Sequence, residues 1–285
     1  MRKIPHIILL IIFSGICAHA VLIASDSFST GNDTGDYVDN TNLGAAGNVT
    51  VGTVGFLSTS WAGSTGTIKT YSSYGLTHAW VQGNSANGAV KVIPGINSTE
   101  RISIRNLDTV LSGSTFYISG LLTMSGALTA LDNDESIAMG LAAADMPGNT
   151  FDTTSGLKIG LTKDASGTVY LAAFTAGNTY TLGSGLSSAQ AAETQMIVCR
   201  MDINETGNDT LTAWIAQEGD ARLTQVLKID TIDMGTASDF ASFVVQGRGA
   251  AETHYAGGVM VDEFRFGTTW WDVTSAPVLK LLVIQ

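Results

Sequence analysis

Phe116-Tyr117-Ile118-Ser119-Gly120-Leu121-Leu122-Thr123-Met124 places Phe116, Ile118, Leu122 and Met124 on one face and Tyr117, Ser119, Leu121 and Thr123 on the other. That period-two alternation is the mark of a half-buried β-strand. The pattern recurs on both sides of it. Val169 to Phe174, Met196 to Ile203 and Leu211 to Ala216 read the same way. Further strands are predicted over Val21 to Phe28, Ile68 to Tyr71, Leu76 to Val81, Ala89 to Ile93, Arg101 to Arg105, Ile137 to Leu141, Leu157 to Leu161, Phe240 to Arg248 and Gly258 to Gly267. Gly, Asn, Asp, Ser and Thr separate them, the residues of tight turns. Only Ser187 to Glu193 reads as a helix. So many short strands predict an all-β chain, a two-sheet antiparallel β-sandwich of the jelly-roll, concanavalin A-like type. A right-handed β-helix would need a regular coil repeat, and none is visible.

Composition narrows the setting. Arg2 and Lys3 precede an apolar run from Ile4 to Ile16, and Ala18-His19-Ala20 supplies the small residues that a signal peptidase reads. We therefore expect residues 1–20 to be a signal peptide cleaved after Ala20, with the protein secreted, extracellular or at the cell surface. Ile16 before Cys17 does not suit a lipobox. No Pro/Ser linker divides the remainder, so residues 21–274 are expected to form one domain, and 275–285 a short tail too brief to span a membrane.

Without the leader, 12 basic residues face 25 acidic ones, a net charge of −13. Such a chain repels phosphate backbones, and no basic cluster reverses this locally, so no nucleic acid is expected as a partner. Cys199 is the one cysteine left, alternating with Ile197 and Met201, and reads as a buried, inert thiol. An exported chain without disulfides must be held by its core.

Ser25-Asp26-Ser27-Phe28 and the run from Gly258 through Val261-Asp262-Glu263-Phe264-Arg265-Phe266-Gly267-Thr268-Thr269-Trp270-Trp271-Asp272-Val273-Thr274 resemble the two ends of a group of exported bacterial proteins. These are similar to the concanavalin A-like lectin/glucanase (laminin-G-like jelly-roll) superfamily, and often carry a C-terminal sorting signal with a Pro-Glu-Pro motif. That motif is absent from this sequence. The resemblance implies neighbouring first and last strands, and an Asp on the last strand that helps hold a structural Ca²⁺.

The residues themselves point to the same two carboxylates. Strict alternation puts Asp262 on a face with Met260, Phe264 and Phe266, and Asp26 on a face with Phe28. A buried carboxylate needs compensation. A calcium ion, which takes six to eight oxygen ligands, would supply it, and so would backbone amides at a strand end. Asp132 to Glu135 and Asp202 to Asp209 lack EF-hand spacing and read as turns.

Glycosidases of this superfamily carry their carboxylates as E-x-D-x-x-E or a close variant. None of Glu100, Glu135, Glu193, Glu205, Glu218, Glu252 and Glu263 begins that pattern. His78 and His254 bring no G-x-S-x-G or H-E-x-x-H motif with them. The leading expectation is a non-catalytic, lectin-like module that binds polysaccharide or glycan. A structural or adhesive surface protein comes second, and a polysaccharide hydrolase or lyase third. Trp214, Trp80 and Trp271 are the candidate sugar-stacking residues. Trp214 stands opposite in facing to Leu211, Ala213 and Ile215 and shares its side with Thr212. Of Trp270 and Trp271, one is expected to close the sandwich end and the other to be exposed. Asn-x-Ser/Thr sequons at Asn32, Asn48, Asn97, Asn204 and Asn208 carry no functional weight in a chain this rich in Asn, Ser and Thr.

Overall fold

The computed structural model describes residues 21–28, 37, 41–43, 55–56, 61–63, 68–71, 75–81, 88–92, 101–124, 136–142, 156–175, 178–237, 240–248 and 259–274. The leader, the tail, Tyr74, His254, the Asp132 to Glu135 stretch and the sequons at Asn32, Asn48 and Asn97 lie outside them.

Sixteen strands and two short helices make up the described chain. They begin with β1 (Leu22–Asp26), β2 (Thr41–Asn42), β3 (Ala62–Gly63), β4 (Ile68–Tyr71), β5 (Ala89–Val92), β6 (Arg101–Asn106) and β7 (Thr115–Met124). β8 (Ser136–Ala142), β9 (Gly156–Lys163), β10 (Val169–Thr175) and β11 (Asn178–Leu186) follow, and then helix α1 (Ser188–Ala192). The chain continues through β12 (Gln195–Asp202), β13 (Asp209–Gln217), β14 (Thr224–Ile232), β15 (Ser242–Arg248), β16 (Val259–Gly267) and helix α2 (Trp270–Val273). One sheet has nine strands, ordered β14-β13-β12-β7-β16-β5-β4-β2 with β1 also on β16; the other has seven, ordered β11-β10-β9-β8-β15-β6-β3. All pairings are antiparallel. This is the two-sheet jelly-roll sandwich expected, with its first and last long strands side by side.

The interior lies between the sheets. Phe243 of the seven-stranded sheet stacks on Phe264 of the nine-stranded one, ring centroids 3.7 Å apart, and Trp61 meets Phe243 edge-on at 5.3 Å. Phe28 and Phe56 complete this aromatic centre. Inward residues of β7, β12 and β13 join it, including Phe116, Ile118, Ile197, Cys199, Leu211 and Ala213. Cys199 is fully buried, and that burial pushes its thiol pKa up, as fits an inert side chain.

Three expectations need correcting. Leu76 to Val81 is a loop, because its backbone donors are used elsewhere: the Leu76 N–H goes to the Asp262 carboxylate, Trp80 N–H to His78 Nδ1, and Val81 N–H to the His78 carbonyl. β11 and β14 escaped the sequence reading. In β14 the pairing with β13 shifts register twice, so Val226 and Leu227, adjacent in sequence, both pack on the interior.

The third correction concerns β16. A bulge between Asp262 and Arg265, with Glu263 at φ 50°, breaks its alternation. Val259 and Val261 face the interior before the bulge, and Phe264 and Phe266 face it after. Asp262 therefore shares the outer side with Met260 and not the side of Phe264. The bulge also falls where β16 changes partner, from β5 at Val259 to Val261 to β1 from Phe264 onward.

Candidate functional site

The outer face of the nine-stranded sheet carries its own apolar patch, separate from the interior. Met196, Val198, Ala216, Leu121 and Met260 form its floor, with Trp80, Trp214, Trp270 and Tyr117 packed around it. Among the described residues, two segments lie over this face. One is the 75–81 loop, tied down by Leu76 N–H on Asp262 (2.9 Å) and by His78 Nε2 at 3.1 Å from the Gln217 carbonyl. Both ring nitrogens of His78 are thus engaged, which makes it a structural clip.

The other is α2, which folds back directly after β16. Asp272 caps it by accepting from the Thr269 N–H (2.7 Å) and hydroxyl (3.0 Å), and Ser119 Oγ on β7 donates to the Val273 carbonyl at 2.7 Å. The return is tight: a Cβ on Gly267 would sit 2.2 Å from that of Asp272, so only glycine fits.

The strand registers set out the side chains of this face in rows. Trp214 pairs with Val198, and Val198 with Ser119. In the next row Lys228, Thr212, Arg200 and Tyr117 lie side by side on β14, β13, β12 and β7. Trp270 stands edge-on to Trp214 (5.1 Å, 81°) and to Tyr117 (6.3 Å, 88°). Arg200 binds Asp202 through Nε (3.0 Å) and Nη2 (2.8 Å), its guanidinium lies 6.0 Å from the Tyr117 ring, and Thr115 Oγ1 also donates to Asp202. The Asp202 hydrogen bond raises the Arg200 pKa further.

The three predicted tryptophans have different fates. Trp214 is half-buried on the outer face, as its alternation required. Trp80 is half-buried in the covering loop, its Nε1 donating to the Asp220 carbonyl at 3.3 Å. Trp271 is 60% exposed on α2. Of the adjacent pair, Trp270 closes down on the sheet and Trp271 points out. The sequence reading missed Trp270 and Tyr117 as partners of Trp214. Tyr117 could have been found, since it shares a face of β7 with Ser119 and Leu121.

Asp26 and Asp262 each have their own hydrogen-bond partners, although the Asp26 charge reaches Asp262. Asp26 faces the interior, where its carboxylate accepts from Tyr37 Oη (2.5 Å) and the Phe28 N–H (2.8 Å), with Arg105 Nη1 at 3.4 Å from the opposite sheet. Trp61 Nε1 donates to Tyr37 Oη in turn (2.9 Å). Burial raises the Asp26 pKa from 3.8 to about 6, against the lowering effect of those three donors. Asp262 accepts from Leu76 N–H and, at 2.8 Å, from the Glu263 N–H. Burial, then the neighbouring Glu263 charge, holds its pKa well above the carboxylate range.

Every one of the four oxygens thus has a hydrogen-bond donor: at Asp262 both donors are backbone amides, the alternative raised above, while at Asp26 one is an amide and the other oxygen is held by a hydroxyl and a guanidinium. The fit to calcium is poor. A calcium ion would have to displace these donors, and at Asp26 it would have to sit beside a guanidinium. Among the described residues, no group of three or more His, Cys, Asp or Glu side chains gathers to hold a metal.

The Asp202 to Asp209 stretch forms a turn, as read. Its residues Asn204 to Asn208 line a cleft of about 550 Å³ with Asp233, Gly235 and Thr236. Asp209 braces that cleft by accepting from the Asn204 N–H (2.8 Å) and the Met234 N–H (2.6 Å). No described helix is long and apolar enough to cross a membrane.

No protein-family model and no curated protein sequence matches the chain. Among solved structures, a PL-14 alginate lyase from Aplysia kurodai aligns at a TM-score of 0.44 and 13% identity, covering 71% of this chain and 87% of the lyase. The exoplasmic/lumenal domain of VIP36, bound to Ca²⁺ and Man3GlcNAc, aligns at 0.44 and 13%, covering 73% and 83%. A GH43 glycoside hydrolase with endo-xylanase and exo-arabinofuranosidase activity aligns at 0.43 and 11% over 64% of this chain, which spans only 35% of that enzyme. Likeness at this level carries no inference about ligand or activity.

Proposed function

We propose that the protein is a secreted, non-catalytic β-sandwich that binds uncharged polysaccharide on the outer face of its nine-stranded sheet. In this reading residues 1–20 are the cleaved leader, residues 21–274 the binding domain and 275–285 a tail. The observation that carries the proposal is the Trp214–Trp270–Tyr117 arrangement. Apolar ring faces suit the C–H faces of sugar rings, and Lys228 and Arg200 of the row beside them, with Asp202 bound to Arg200, suit sugar hydroxyls.

The charges in that row favour an uncharged ligand. Arg200 is paired with Asp202, the exposed Lys228 stands two residues from the exposed Asp230, and the net charge of −13 without the leader opposes long polyanions. Support for a non-catalytic role comes from two carboxylates of this face, Asp202 and Asp262. Asp202 is held by Arg200 and Thr115, and Asp262 lies buried with both oxygens accepting N–H bonds, so neither is placed as a free acid or base for glycoside cleavage.

Affinity electrophoresis through gels containing laminarin, xylan, mannan or alginate tests this reading. We expect retardation by at least one uncharged polymer, none by alginate, and loss of retardation in Trp214→Ala with the fold intact by circular dichroism. Retardation by no polymer would favour the structural-surface reading. Release of reducing ends from a retarding polymer would favour the hydrolase.

A further inference from the structure

β14 is the last strand of the nine-stranded sheet. β13 lies on one side of it, and among the described residues no strand lies on the other. Open edges recruit other chains, and proteins blunt them with charge, proline or bulges. Leu227 and Ile229 of β14 pack toward the interior, while Lys228 and Asp230 are exposed. The two pairing shifts against β13, at Ala213/Trp214 and Asp209/Leu211, twist the strand on either side and restrict any match to a short stretch around Ile229.

Within that stretch the charges complement themselves. In an antiparallel pair of two β14 strands centred on Ile229, Lys228 of each copy lies directly opposite Asp230 of the other. Sliding the mate by two residues either way would oppose Lys228 to Lys228 or Asp230 to Asp230, which is disfavoured. β11, the edge of the other sheet on the same flank, contains no charged residue and no proline, so it adds no repulsion.

We infer that β14 pairs antiparallel with β14 of a second copy of this chain about a two-fold axis at Ile229, held in register by two Lys228–Asp230 pairs. The axis stands perpendicular to the sheet, so both outer faces lie on one side of a continuous sheet. Strand spacing and rise put the two Trp214 positions roughly 25 Å apart. Such a pair would engage one long polymer at two points.

Sedimentation velocity over a concentration series up to roughly 100 µM tests this on the full secreted chain. The wild type is expected to form a concentration-dependent dimer. Lys228→Asp and Asp230→Lys, both at exposed positions, should each weaken it by roughly tenfold or more. Mixing the two variants restores opposite charges across the interface and should restore association as a heterodimer. A wild type that stays monomeric throughout, single variants that dimerise like the wild type, or a mixture that fails to recover would each overturn the proposal. Thermal melts of both variants confirm that a lost dimer is not lost fold.

Discussion

On its inner side the nine-stranded sheet stacks Phe264 flat on Phe243 of the opposite sheet; on its outer side it sets Trp214 edge-on to Trp270 and leaves Trp271 in solvent. Each side also buries a carboxylate, Asp26 within and Asp262 without. The aromatic and acidic ingredients are alike, but their covers differ. The inner side is closed by a second sheet of seven strands. Over the outer side, among the described residues, lie the short α2 and the 75–81 loop, each pinned by a few hydrogen bonds. Truncating an inner ring opens a void the fold cannot close, whereas truncating an outer ring removes contact area that solvent can replace.

The largest effect should come from breaking the inner side. Phe243→Ala removes the ring that contacts Phe28, Phe56, Trp61 and Phe264, and we expect a loss of about 3–5 kcal/mol in denaturant unfolding. Trp214→Ala on the half-buried outer side should cost about 1–2 kcal/mol while abolishing glycan retention. Equal losses from the two variants would show that the outer cluster is a second core and not a surface for ligands.

Acidity separates the two sides next. The folded-state pKa of Asp26 is raised from 3.8 to about 6, so the folded chain retains a proton that the unfolded chain releases between those values. Its contribution to stability is therefore full below about pH 4 and is lost as pH rises through 6, about 3 kcal/mol in all. Asp262, whose pKa is raised by burial and by the neighbouring Glu263 charge, acts in the same direction. Comparing unfolding free energies at pH 4 and pH 7 for wild type and Asp26→Asn isolates the inner group. The variant should lose the part of the pH dependence that lies between 3.8 and about 6. An unchanged profile would mean that Tyr37 and Arg105 compensate the ionised carboxylate fully.

The inner side was the more legible from sequence, and the reason is geometric. Where two strands run in register without interruption, alternation alone assigns faces. Ile68–Tyr71 is the predicted strand residue for residue, and the opposite facing of Trp214 from Leu211 and Ala213 followed from period two. Readings failed where one extra residue enters a strand. The Asp262–Glu263 bulge moved Asp262 to the outer face, and the irregularities in β14 hid a nine-residue strand. They failed again where a side chain takes the place of a ladder partner, as Asp262 does for Leu76. The outer cluster depends on the fold-back of α2 over β7, a contact distant in sequence that no local pattern announces.

The smallest expected effect concerns calcium, and it tests whether both carboxylates are settled by hydrogen bonds alone. At Asp26 the second oxygen is shared by Tyr37 and Arg105, so a divalent ion would meet a fixed positive charge; at Asp262 each oxygen is held by a backbone N–H whose loss would free the 75–81 loop or unpin the bulge. Melting temperatures in EDTA and in millimolar calcium should therefore agree. A saturated site at a hundred times its Kd would add about 2.7 kcal/mol, or roughly 5–10 °C in a domain of this size, which is easily resolved by calorimetry. A shift of that magnitude in the wild type that disappears in Asp262→Asn would mean that the outer carboxylate exchanges its amide partners for a metal. The 75–81 loop would then be the segment that moves, and the outer side would differ from the inner in its chemistry as well as in its cover.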